Sequence, residues 1–109
     1  MTSMETPRPI VAFLDATNAA DPDAFVAAFT EDAFLDDWGR QYRGHEGVRD
    51  WDRTDNIGVQ SRIALTALTS GSEPDTFIGT VAVSGNRFNG TGTMTFTLRD
   101  DRISSLVIG

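Results

Sequence analysis

The pattern of apolar and polar positions divides the chain into a helical first part and a β-rich second part. Ile10, Phe13, Leu14 and Thr17 fall on one helical face. Thr6-Pro7 ahead of them reads as a helix start, a hydroxyl cap followed by a proline whose missing N–H costs nothing there. Asp21-Pro22 repeats that signal, and Phe25, Val26, Ala28 and Phe29 give the second helix its apolar side. Ala33–Asp37 then reads as a short strand and Arg40–Arg43 as its partner, with Trp38-Gly39 turning between them. Gly44 breaks the strand, and His45–Asp55 has helical spacing through Val48, Trp51, Asp52 and Asp55. From Val59 onward the period changes. Val59–Leu68, Thr76–Ser84, Phe88–Leu98 and Arg102–Ile108 are four β-rich runs, separated by Gly71-Ser-Glu-Pro, Ser84-Gly-Asn and Asp100-Asp101 as antiparallel hairpins require.

Helices first and a four-stranded meander afterwards is an α+β pattern. In the run 91–98, Thr91, Thr93, Thr95 and Thr97 take one face, while Gly92, Met94, Phe96 and Leu98 take the other. Alternation with period two places the second set under the helices and leaves the threonines for solvent or another subunit. The sequence shows no repeat, low-complexity tract or interior linker. Residues 1–109 are expected to form a single domain, with Met1–Glu5 as a frayed end.

Composition narrows the partners. Sixteen acidic residues face nine arginines and no lysine, for a formal net charge of −7. That balance repels nucleic-acid phosphate and anionic membrane, so neither is expected as a partner. The chain has no cysteine, which excludes disulfides, thiol catalysis and thiolate-bound zinc. With a single histidine and no carboxylate spacing of a known cation loop, the sequence calls for no metal and no cofactor. The longest apolar runs fall far short of the ~20 residues of a membrane helix, and a cytoplasmic location is the default expectation.

The order of parts carries a resemblance. "NAADPDAFVAAFTEDAFLDDWG" (18–39), "YRGHEGVRDW" (42–51), "FNG" (88–90) and "RISSLVIG" (102–109) together resemble the nuclear transport factor 2-like superfamily, in particular its small SnoaL-like bacterial members. Each motif is loose alone; their order and spacing are specific together. The resemblance implies a strongly curved, mostly antiparallel sheet wrapped around helices into a cone with a pocket at its mouth. It also implies a homodimer through the outer sheet face. The superfamily includes ketosteroid isomerases, polyketide cyclases, epoxide hydrolases, dehydratases and non-catalytic binding domains, so the fold alone does not assign an activity.

The isomerase pattern implies a general base at the end of the first strand, a few residues after an acidic-acidic-alanine sequence. Counted from Glu31-Asp32-Ala33, that position is Asp37. A carboxylate in an apolar mouth becomes a better proton acceptor; the alternative is a solvated strand end or a partner of Arg40 or Arg43. The same pattern requires two donors for an enolate oxygen, and the matching positions hold Phe13 and Met94, neither of which can supply one. Losing one such donor typically costs ~3–4 kcal/mol of transition-state stabilisation, so steroid isomerisation is disfavoured. The late strands carry no interior carboxylate of the cyclase kind. The Asp-Arg-Asp arrangement of the epoxide hydrolases has no convincing counterpart, Arg62 being the one arginine inside the middle strands.

A predominantly apolar pocket is expected, lined by Phe13, Phe29, Leu35, Met94 and Phe96, with Trp38 and Tyr42 near its mouth. Trp51 either joins that lining or plugs the gap between helix and sheet. His45 at a helix start reads as surface, with a proton-transfer role as the alternative. Glu46 and Asp50 complement the helix dipole, and at least one of Arg49 and Arg53 should find an acidic partner. Asp52 and Asp55 read as a solvated helix face, with a place facing the pocket as the alternative, and Phe88 as packing inward beside a bulge at Gly90. Two functions fit: a module that binds a small apolar molecule without catalysis, or a cofactor-independent acid/base isomerase, cyclase or lyase using Asp37 on a hydrophobic substrate.

Overall fold

The computed structural model describes residues 5–109, so the frayed end expected for Met1–Glu5 lies outside the described residues except for Glu5, which is exposed. Three helices, α1 (Arg8–Asn18), α2 (Pro22–Ala27) and α3 (Gly44–Asp55), pack in the hollow of one six-stranded sheet. Its strands are β1 (Phe29–Asp37), β2 (Arg40–Arg43), β3 (Arg62–Ser70), β4 (Thr76–Ser84), β5 (Gly90–Arg99) and β6 (Arg102–Ile108), in the order β2-β1-β6-β5-β4-β3. The β1–β6 pair, one strand in from the β2 edge, is parallel, and the other pairs among the described residues are antiparallel. The α+β cone expected from the sequence is the observed architecture.

Local chemistry explains the element ends. Pro7 itself stands at the N-cap of α1, so the Thr6 hydroxyl makes no cap; at α2 the Asp21 side chain does accept the Ala24 N–H, at 3.1 Å. Asn18 at the end of α1 behaves as a strand mimic. Its amide donates to the Ile63 carbonyl and accepts the Ile63 N–H, both at 2.8 Å, which locks α1 to the start of β3. β3 therefore starts at Arg62 rather than Val59: residues 57–59 form a single 3-10 turn that ends on Gln60 in the left-handed region, φ 58°. β1 starts earlier than the apolar pattern suggests, at Phe29, but its register against β6 slips between Phe29 and Phe34. His45 spans that irregularity. Its Nε2 lies 2.8 Å from the Phe29 carbonyl, which only accepts, so the Nε2–H tautomer ties α3 to β1 and the histidine is not a free surface group.

The closed end of the cone is filled by aromatic side chains. Phe13, Phe25, Phe29 and Phe96 are fully buried and meet at centroid distances of 5.2–6.2 Å in tilted and edge-on pairs. Ile10, Leu35, Val48, Ile103 and Leu106 complete this core. The threonine row of β5 lies on the outer face, opposite Met94 and Phe96, as the alternation requires. Bulges sit near Thr66 and Ser104, where the register shifts, and not at Gly90, which pairs with Val83.

Candidate functional site

The open end of the cone holds a cavity of about 230 Å³. Its walls come from the inner faces of β3, β4, β5 and β6 through Ile63, Val81, Val83, Met94 and Ile108, with the Trp51 ring from the last turns of α3. Gly92 explains why the space exists. Inner positions along β5 alternate Gly92, Met94, Phe96, Leu98, and a Cβ built on Gly92 would meet nothing within 4 Å. Large side chains close the cone below, and a missing one leaves the mouth hollow.

Of the residues expected in the lining, Trp38, Trp51 and Met94 border this cavity, as does Asp37, the candidate base. Phe13, Phe29, Leu35 and Phe96 are not on the cavity wall; each is fully buried in the aromatic core beneath it. The physical reason is depth. An inward-facing residue of a cone lines the pocket only near the rim, and these four sit where α1 and α2 already fill the interior. Tyr42 also stands away from the cavity. It pairs with Leu35 across β1–β2, and Gly47 of α3 packs directly on it, a Cβ there falling 3.1 Å from the Tyr42 backbone. Phe88 is not packed inward: it is half exposed at the cavity rim.

One side of the cavity is polar, and its residues come from four separate elements. The Arg40 guanidinium on β2 bonds Asp37 at 2.5 Å and Asp55 at 3.2 and 3.3 Å. Arg87 from the β4–β5 loop reaches Asp55 at 3.1 Å, and the Thr54 hydroxyl donates to its other oxygen at 2.8 Å. Trp51 Nε1–H donates to the same Asp37 oxygen that Arg40 holds, at 2.9 Å. Trp51 thus lines the cavity and also plugs the gap behind it, stacked on Phe25 at 6.0 Å. Asp37 Oδ1 takes no hydrogen bond among the described residues and is the acceptor left to the cavity.

The sequence offered Arg40 as a partner of Asp37 but missed the extension of that pair to Asp55. Asp55 has a side chain only 5 % exposed, not a solvated one, because two arginines from distant segments neutralise it. Asp52 is buried as well, on the core side of α3. Its Oδ1 accepts from Asn56 Nδ2 at 3.0 Å and from the Ile57 N–H at 3.4 Å. Burial pushes its carboxyl above the usual aspartate range, while those two hydrogen bonds and the Arg49 charge pull the other way. Arg62 stays on the exposed edge and reaches no carboxylate among the described residues; Arg49 pairs with Asp23 and Arg53 with Asp50.

Trp38 sits at the rim, 80 % exposed, in a two-residue hairpin turn in which it and Gly39 both have positive φ, 52° and 91°. Such turns match the twist of the strands and favour Asn or Gly at the first position; a bulky residue there is strained. Asp36 steadies the turn by accepting the Gly39 N–H at 2.8 Å.

A family model for the SnoaL-like domain matches residues 10–106. The chain belongs to the SnoaL-like domain family, within the nuclear transport factor 2-like superfamily. Among solved structures, this SnoaL-like domain is similar to a candidate polyketide cyclase from Sinorhizobium meliloti, with 28% identity over 100% of both chains and a TM-score of 0.86. It is similar in fold to a Mycobacterium tuberculosis protein solved in complex with estradiol-17β-hemisuccinate, with 14% identity, 95% and 93% of the two chains covered and a TM-score of 0.79. The epoxide hydrolase/cyclase-like enzyme SalBIII of salinomycin pyran-ring formation shares the fold at 21% identity, with 92% and 85% covered and a TM-score of 0.82. No curated protein matches the sequence. No helix among the described residues of the SnoaL-like domain is long and apolar enough to cross a membrane.

Proposed function

We propose that this SnoaL-like domain binds a small apolar molecule in the mouth of the cone and does not catalyse a reaction on it. The observation that carries this reading is the vacancy over Gly92, walled by Ile63, Val81, Met94 and Trp51. At about 230 Å³ the cavity lies below the ~300–1,000 Å³ of drug-sized pockets, which favours a ligand of one or two rings. Against catalysis stand Phe13 and Met94, which cannot donate to a developing oxyanion, and the engagement of Asp37 by Arg40 and Trp51.

Gly92→Leu tests the reading directly. The new side chain enters open space, so the fold should keep its melting temperature within a few degrees while the cavity fills. Calorimetric titration with one- and two-ring compounds such as 2-naphthol should show micromolar binding to the wild type and at least a tenfold loss in the variant. Equal binding by both, or none by the wild type, overturns the proposal.

An acid/base enzyme is the second reading, supported by Asp37 Oδ1 beside an apolar cavity and by the arginine that bridges two carboxylates. Turnover of a hydrophobic substrate that vanishes in Asp37→Asn would favour it. The proposal extends to the assembly: the outer sheet face, with the β5 threonines beside half-exposed Ile78 and Val107, would hold a second copy. Light scattering should give a dimer at tens of micromolar, and Ile78→Glu a monomer; a wild-type monomer overturns this part.

A further inference from the structure

We infer that Asn56 is the specificity-determining residue of the cavity and selects ligands that carry a hydrogen-bond donor, a hydroxyl first of all, at their buried end. This rests on the binding reading above. Asn56 ends α3, is 5 % exposed and lines the cavity. Its side-chain amide can face the cavity with either its oxygen or its NH₂, and two neighbours decide which.

The first is Thr17. Its hydroxyl donates to the Phe13 carbonyl at 2.9 Å, as a threonine inside a helix does, so its proton is spent and its oxygen can only accept. The group of Asn56 that lies 3.0 Å from Thr17 Oγ1 must therefore be the NH₂. The second is Asp52, whose Oδ1 accepts from the same nitrogen at 3.0 Å. Both amide protons point into the core. The carbonyl oxygen is directed away from them and takes no hydrogen bond among the described residues. No buried side-chain oxygen there lacks a partner, so this oxygen reaches open space, which for Asn56 is the cavity. A flip would leave Thr17 Oγ1 facing another acceptor in a buried site, at the full cost of an unmade hydrogen bond.

The inner end of the cavity thus offers Asn56 Oδ1 as a pure acceptor and its rim Asp37 Oδ1, while the hydroxyl of Ser61, a mostly buried residue on the same wall, has no partner among the described residues and can donate or accept. The charged and indole donors are engaged. Arg40 and Arg87 are held by Asp55, and the indole N–H of Trp51 by Asp37. At Asn56 a ligand hydroxyl or amine is satisfied, whereas a carbonyl or ether oxygen meets oxygen.

The test compares 2-naphthol with 2-methoxynaphthalene, equal in ring system and different in the donor. Calorimetric titration of the wild type should show the naphthol binding roughly tenfold more tightly, the scale of one buried hydrogen bond. Asn56→Ala should bring the two within twofold, and Asp37→Asn should keep most of the preference. A crystal structure of the wild-type naphthol complex, which needs no variant to fold, should place the hydroxyl oxygen within 3.2 Å of Asn56 Oδ1. Equal affinities for the two probes in the wild type, a preference that survives in Asn56→Ala, or a hydroxyl placed elsewhere overturns the assignment of Asn56 while leaving the binding reading intact. Failure of both probes to bind the wild type overturns both.

Discussion

The two ends of the cone are built from the same strands and solve opposite problems. β1 begins at Phe29 in the closed end and finishes at Asp37 on the rim; β5 runs the other way, from Gly92 beside the cavity to Phe96 in the core. At the closed end the buried side chains are mostly apolar and are led by four phenylalanines in mutual contact. At the open end one inward position is glycine, and charge enters in balanced form, two carboxylates against two arginines. The difference shows where the domain can vary: the base carries stability, and the rim carries specificity at little cost to the base.

Truncating the base should therefore have the largest effect. Phe96→Ala removes a fully buried ring that packs edge-on to Phe13 at 5.5 Å. Such substitutions cost about 3–5 kcal/mol, a large part of the 5–15 kcal/mol that a domain of this size holds. Urea unfolding should show the midpoint fall steeply. A loss below about 1 kcal/mol would mean that the closed end is not the packed core described above.

The charged rim should respond less. Asp37→Asn replaces a carboxylate, one oxygen of which takes both the Arg40 and the Trp51 hydrogen bonds, with an amide whose oxygen can keep both bonds but carries no charge to hold the guanidinium. Arg40 is half exposed, so solvent screens the pair and the expected loss at neutral pH is about 1 kcal/mol. Asp55→Asn should cost somewhat more, because two arginines lose a buried partner. Since Arg40 is common to both, the double variant should lose less than the two single losses combined. A more stable Asp37→Asn would point instead to a carboxylate strained for chemistry, and so to the enzyme reading.

Most of the fold was legible because it is written in periodicity: the α2 start at Asp21-Pro22, the Trp38-Gly39 turn and the alternation of 91–98 appear where expected, and α1 starts one residue later than Thr6-Pro7 implies. The site was legible only in part. Asp37, Trp38, Trp51 and Met94 could be placed, but depth along the cone, which separates Phe96 from Met94, has no signal in a period of two. Asp55 was hidden for a different reason. A carboxylate on a helix reads as solvated unless its partners are known, and Arg40 and Arg87 lie 15 residues before it and far after it in the chain. The α3 sequence Trp51-Asp52-Arg53-Thr54-Asp55-Asn56 held one available signal. Positions 52 and 56 are one helical turn apart, which puts an aspartate and an asparagine on a single face next to the apolar stripe.

Acidity separates base from rim in another way. Burial raises the Asp52 carboxyl, so folding penalises its charged form; that penalty is present in full above the folded pKa and disappears as pH falls to about 4, where the unfolded aspartate also takes up its proton. Asp52→Asn keeps an acceptor for Asn56 without the charge. It should match or exceed the wild type in stability at neutral pH, with the gap closing as pH falls. Asp32, which Arg99 and Thr30 hold below the usual range, acts in the opposite sense: its contribution is present above about 4 and is lost as pH falls through its lowered pKa. Both proteins carry Asp32, so the comparison between them cancels it. A variant that is less stable than the wild type at neutral pH, by a margin that closes in acid, would show that the network depends on a charged Asp52.

The smallest effect on stability should come from Trp38, and its sign is informative. Trp38 holds φ 52° in the hairpin turn and is 80 % exposed, so it gains little from burial and bears the strain of a left-handed conformation. That strain is about 1 kcal/mol for a residue with a Cβ. Glycine adopts the same φ freely, and the turn keeps the hydrogen bonds from Gly39 to Asp36 and from the Trp38 backbone N–H to the Ile108 carbonyl at 3.1 Å. What the ring gives up is its packing on Gly109, where a Cβ would lie only 3.1 Å from it. Trp38→Gly should therefore leave the melting temperature unchanged or raise it by a few degrees, while weakening 2-naphthol binding severalfold through loss of the aromatic wall at the rim. A variant that binds as well as the wild type would remove Trp38 from the site, and one that melts clearly lower would make the ring a structural plug, joining the rim to the base in kind as well as in chain.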